Sequence, residues 1–166
     1  MIKVIKDNIV KQDVDAIVNA ANSYLSGGGG VDGAIHAAAG EKLYEACSKI
    51  GHCDVGQAVI TSGFDLVAKY IIHTVGPFYA HYDKNTNEKL LGDCYYNCLN
   101  IAKENNLKSI AFPCISTGAY GYPLEEATPI AINTVKQWLL DNNYEIDVYF
   151  VCYADKEYEE YLKYNM

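Results

Sequence analysis

Four consecutive glycines stand at positions 27–30, between the apolar run Ala16, Ile17, Val18 and a small-residue stretch at 34–39. The run has to be a loop, one whose backbone turns freely and lets a ligand come close. The small-residue stretch after it reads as a helix. The first amides of a helix lack partners within it and favour an anion. One acid, Asp32, stands in that corner. A phosphate cradle with a carboxylate beside it points to chemistry on a phosphorylated ligand.

The rest of the chain fits one domain over residues 1–166, long enough to bury a core. Half the residues are apolar and a fifth charged, as in globular proteins, and no apolar run approaches a membrane span. The opening Met-Ile-Lys-Val-Ile-Lys-Asp alternates like a strand and lacks the apolar stretch of a signal peptide. The expectation is a cytoplasmic location. Six cysteines without a CxxC pair read as free thiols of a reducing compartment. Cys94 and Cys98 share a helix face with no further ligands evident, so core packing is expected there and no metal site. His52, His73 and His81 also lack metal-ligand spacing.

Net charge is -8, which argues against non-specific nucleic-acid binding. The thirteen basic residues are all lysine. Without a guanidinium fork, a pyrophosphate must be held by backbone N–H groups, hydroxyls and helix ends.

Strand and helix patterns alternate. Strands are expected at 2–5, 16–19, 57–62, 70–75, 109–114 and 147–152. Helices are expected at 31–50 with a break near Gly40, then at 87–105, 124–142 and 155–163. This predicts an α/β fold, three-layer α/β/α, around a central mixed, largely parallel sheet. Ligands of such folds bind at the carboxyl ends of the strands. Both glycine-bearing segments, 26–33 and 116–121, follow expected strands and can meet in one crevice.

The residues from Gly28 to Gly33 match G-x-G-x-x-G, but residues 19–26 separate them from the strand, so the dinucleotide fingerprint is weak. No Gly-Lys-Ser/Thr follows, which excludes a Walker loop. The second segment, Pro113-Cys114-Ile115-Ser116-Thr117-Gly118-Ala119-Tyr120-Gly121, runs from strand to small-residue loop to helix and again offers amides and hydroxyls. A phosphatase using Cys114 would need an arginine six residues on, where Tyr120 stands. Asp32 could also be a plain helix cap, Asn22 a turn residue, and His36, four residues after Asp32, a buried hydrogen-bonded histidine. Tyr158, Tyr161 and Tyr164 dock the last helix.

Three runs together, Asn19-Ala-Ala-Asn22 through Gly33, Lys69-Tyr-Ile-Ile-His-Thr-Val-Gly-Pro77, and Phe112-Pro-Cys-Ile-Ser-Thr-Gly118, resemble the macrodomain family, and within it the MacroD-type ADP-ribose hydrolases, over nearly the whole chain. The resemblance implies a single macrodomain that binds ADP-ribose as substrate or product, with no metal and no organic cofactor. Asn22 would touch the distal ribose. Gly28, Gly29, Gly30 and Val31 would line that ribose and the diphosphate, with Ala21 beside them. Ser116, Thr117, Gly118, Ala119 and Tyr120 would close over the diphosphate from the other side, Tyr120 packing on the distal ribose.

Asp32 would be the catalytic carboxylate, with Asn22 and His36 also counted as catalytic. Asn8 and Ile9 would meet the adenine. Asn8 stands where the family usually has aspartate, and Asp7 could compensate if the loop shifts by one residue. The implied reaction removes ADP-ribose from aspartate or glutamate esters of proteins and deacetylates O-acetyl-ADP-ribose. A non-catalytic ADP-ribose reader and an ADP-ribose 1''-phosphate phosphatase are the alternatives. Partners would be ADP-ribose and ADP-ribosylated proteins, with no membrane, and the chain would be a monomer.

Overall fold

A computed structural model describes all residues, 1–166. Six strands form one sheet: β1 (Ile2–Lys6), β2 (Ala16–Ala20), β3 (Ala58–Ser62), β4 (Tyr70–Thr74), β5 (Ser109–Phe112) and β6 (Asp147–Cys152). Their order across the sheet is β1-β6-β5-β2-β4-β3. All neighbours are parallel except β3 and β4, which pair antiparallel. The sheet is therefore mixed and largely parallel, as the alternation of elements implied.

Alternation along each strand builds two cores. Ala16, Val18, Ile72, Phe112 and Phe150 face the larger one. It is closed by α3 (Lys84–Glu104), α4 (Leu124–Asn142) and Tyr161 of α5 (Asp155–Leu162). Trp138 lies fully buried there, its indole N–H donating to Asn100 Oδ1 at 2.8 Å, so the burial leaves no donor unpaired. Ile17, Ile71, Ala111 and Val151 face the smaller core, closed by α1 (Gly30–Ala39) and α2 (Glu41–Ile50). Cys94 and Cys98 are buried in the larger core.

Element ends differ from the sequence reading for local reasons. Helix α3 starts three residues early because Asp83 caps it, Oδ1 accepting from the Thr86 N–H at 2.7 Å. Strand β5 stops at Phe112, where Pro113 can no longer donate to the ladder. The break at Gly40 is real: its φ of +92° ends α1 and opens α2.

The topology fixes where a ligand can sit. From β2 the chain runs outward to β3 and β4, then returns to β5 on the other side of β2. The strand order thus reverses between β2 and β5, and a crevice opens at their carboxyl ends. The loops leaving these two strands are the two glycine-bearing segments.

Candidate active site

A cleft of about 770 Å³ lies over this reversal point. Its lining includes Asn8, Ile9, Ala21, Asn22, Gly28, Gly29, Gly30, Val31 and Asp32 from one side, and Ser116, Thr117, Gly118, Ala119 and Tyr120 from the other. The structure thus brings together every expected ligand-contact residue, and two of the three expected catalytic ones.

The first loop ends in α1, whose N-cap is Gly29. Gly30 turns into the helix at φ +57°, a conformation that costs glycine little. None of the amides of residues 28–32 donates to a backbone carbonyl. Gly33 packs against the loop: a Cβ there would lie 2.4 Å from the Gly28 carbonyl oxygen. Opposite, the N–H groups of residues 116–120 also donate to no backbone carbonyl, while Tyr122 N–H to Ser116 C=O at 2.9 Å closes the turn around them. Ser116 is held at φ +66°. Two sets of unspent backbone donors face one space, which suits a diphosphate.

Asp32 sits in the first turn of α1, whose N-cap is Gly29, so Asp32 is not the helix cap. Its Oδ1 accepts from Asn19 Nδ2 at 2.9 Å. Its Oδ2 points towards Gly28, 3.5 Å from where a Cβ would stand. One carboxylate oxygen is anchored below and the other is left to the cleft.

Asn22 is both turn residue and cleft residue. Its Oδ1 accepts from the N–H groups of Tyr24 (3.1 Å) and Ser26 (3.3 Å), and its Nδ2 donates to Gly27 C=O at 2.9 Å. It therefore shapes the loop that carries the glycines and keeps one amide hydrogen for a ligand.

His36 lies apart from the other two expected catalytic residues. It lies beneath Asp32, only 2 % exposed and outside the cleft lining. Its Nε2 is 3.5 Å from Asp32 Oδ1, and its ring packs on Tyr44 with centroids 4.3 Å apart. Burial lowers its pKa, opposed in part by the Asp32 charge. It lies against Asp32 and outside the cleft wall.

Asn8 lines the cleft, but its Oδ1 accepts from Val10 N–H at 3.2 Å, capping a short 3₁₀ turn. Asp7 is turned onto the Asn8 N–H at 2.7 Å and is absent from the lining. Tyr120 stacks on Phe78 with centroids 3.7 Å apart, and its carbonyl accepts from Tyr79 N–H at 3.0 Å, which fixes the rim. Cys114 also lines the cleft. The neighbouring Cys152 thiol and burial push its own thiol well above the ordinary range, the opposite of what a nucleophile needs.

Sequence reasoning missed Tyr153, Glu157 and Gly76, which also line the cleft, and Asn19, which bonds Asp32. No three His, Cys, Asp or Glu side chains converge in a metal-ligating arrangement.

Fold and site together define an α/β/α domain with a two-loop anion cradle and one carboxylate at its edge. Residues 18–131 match the family model described as Macro domain. Human ADP-ribose glycohydrolase MACROD2 is 49% identical over 159 residues, covering 95% of this chain and 37% of that protein. The chain thus spans little more than a third of that relative's length. The O-acetyl-ADP-ribose deacetylase of Citrobacter koseri is 52% identical, with 90% of this chain and 86% of that protein covered. The solved Trypanosoma brucei macrodomain in complex with ADP-ribose superposes with a TM-score of 0.91 at 40% identity, over 98% of this chain and 68% of that one. The chain belongs to the Macro domain family.

Proposed function

We propose that this domain hydrolyses ADP-ribosyl esters, releasing ADP-ribose from aspartate or glutamate side chains of proteins and acetate from O-acetyl-ADP-ribose. The observation that carries the reading is the division of labour at Asp32: Oδ1 is held by Asn19, while Oδ2 faces a cleft walled by two loops of unspent amides. The relatives named as an ADP-ribose glycohydrolase and an O-acetyl-ADP-ribose deacetylase support the same chemistry.

The loops bind the diphosphate through backbone donors, which a chain without arginine requires. That anchors the distal ribose and its ester over the Gly28 to Asp32 corner. Asp32 Oδ2 accepts a hydrogen bond from water and directs it at the ester. Water adds, the ester C–O bond breaks, and a free carboxylic acid and an ADP-ribose hydroxyl leave. Positioning and the preset loop dipoles supply most of the acceleration. The reaction so drawn uses no metal or organic cofactor.

The raised pKa of Cys114 and the absence of arginine count against a cysteine phosphatase. Calorimetric titration with ADP-ribose and turnover of O-acetyl-ADP-ribose test the reading. Binding with turnover is expected. Binding without turnover makes the domain a reader, and absence of both refutes the cradle.

A further inference from the structure

Three polar side chains lie in the sheet face under α1 where the rest of that core is apolar. Asn19 and His73 are fully buried and face each other in register on β2 and β4, and Thr61 on β3 is 8% exposed. Placing polar groups in a core is costly unless every member is paired. Here every side-chain polar atom except Asn19 Oδ1 has a partner, and the line they form ends on Asp32.

Each donor in the line is determined by the one before it. Thr61 Oγ1 donates to Ser62 C=O at 3.1 Å, so its lone pair receives the proton of His73 Nε2 at 2.9 Å. His73 Nδ1 is then the bare, accepting nitrogen. It takes one hydrogen of Asn19 Nδ2 at 3.1 Å, and the other goes to Asp32 Oδ1 at 2.9 Å. Burial pushes the His73 pKa down to about 3, so the ring stays neutral at working pH. A proton on Nδ1 would turn the Asn19 amide over and aim its oxygen at the carboxylate. The tautomer of a histidine on β4 thereby sets whether Asp32 meets a donor or a repelling acceptor.

We propose that His73 is a positioning residue for hydrolysis: acting through Asn19, it holds Asp32 by Oδ1 and leaves Oδ2 aimed into the cleft. Thr61, on the strand at the sheet edge, selects the tautomer. The proposal rests on the hydrolase reading above.

The test compares kcat and KM for O-acetyl-ADP-ribose, and the melting temperature, in wild type, His73→Leu, His73→Asn and Thr61→Val. Asparagine keeps an acceptor near the Nδ1 position, and leucine keeps none. Expected is a kcat loss on the order of 100-fold for His73→Leu, substantial recovery in His73→Asn, an intermediate loss in Thr61→Val, and an unchanged KM throughout. Ring ¹⁵N shifts of the wild type should show a protonated Nε2 and a bare Nδ1. Equal losses in His73→Leu and His73→Asn, losses that follow melting temperature alone, or a protonated Nδ1 overturn the proposal while leaving the hydrolase reading intact. A wild type without turnover overturns both.

Discussion

Gly33→Ala isolates the geometry of the first loop. The added Cβ would sit 2.4 Å from the Gly28 carbonyl oxygen, where ordinary contact begins near 3.4 Å. The obstacle is backbone, so a side-chain rotation cannot relieve it. Either the 27–30 loop or the first turn of α1 must yield by about 1 Å, the difference between those two distances. The overlap costs about 1–3 kcal/mol, and alanine returns roughly 1 kcal/mol of helix propensity over glycine. Net destabilisation should therefore be only about 0–2 kcal/mol, and the protein should fold. Affinity should suffer far more, because the displaced amides of residues 28–30 are the ones expected to hold the ligand. A 1 Å misplacement of such groups costs on the order of 100-fold. Titration calorimetry with ADP-ribose, alongside chemical denaturation, reads both numbers. Wild-type affinity in a folded Gly33→Ala protein would refute the claim that this loop binds through its backbone.

Asp32→Ala should abolish turnover, measured on O-acetyl-ADP-ribose, and leave ADP-ribose binding within a few-fold of wild type; loss of both would make Asp32 a structural residue. At Gly118 a Cβ meets nothing within 4 Å, so Gly118→Glu should fold normally yet place bulk and negative charge in the diphosphate loop; unchanged affinity by calorimetry would contradict the two-loop cradle. His73 gives a pH prediction: its pKa is about 3 in the fold against 6.5 in the unfolded chain. The burial is fully tolerated above pH 6.5. As pH falls from 6.5 towards 3, only the unfolded chain takes up the proton, and stability drops. Urea unfolding at pH 7 and pH 5 should therefore show the stability gap between wild type and His73→Asn change by about 2 kcal/mol against wild type at the lower pH; a constant gap would mean His73 is not held neutral.

Much of the fold was legible because its signals are local. The apolar period of α3, the glycine at 40 and the glycine run at 27–30 each declare themselves within a few residues. The site was legible to the extent that it lies on contiguous loops: the segments after β2 and β5 carry most of the cleft. What stayed hidden depends on register. Asn19 and His73 are 54 residues apart, and only the pairing of β2 with β4 sets them side by side. The position of His36 was hidden for the opposite reason. Four residues from Asp32, it does share a helix face, but that face looks into the core, and periodicity alone cannot tell core from cleft. The rim contact between Phe78 and Tyr120 likewise joins loops from distant strands. Asn8 was recognised as a departure, but its employment as a turn cap needed coordinates.

The proposed hydrolysis depends on Asp32, held from below by Asn19 and open to the cleft above. The most direct measurement is release of ADP-ribose from a glutamate-linked mono-ADP-ribosylated protein by wild type and by Asp32→Ala. Release by the wild type and none by the variant, with ADP-ribose bound by both, is expected. Binding by both with release by neither, or equal release by both, would contradict it.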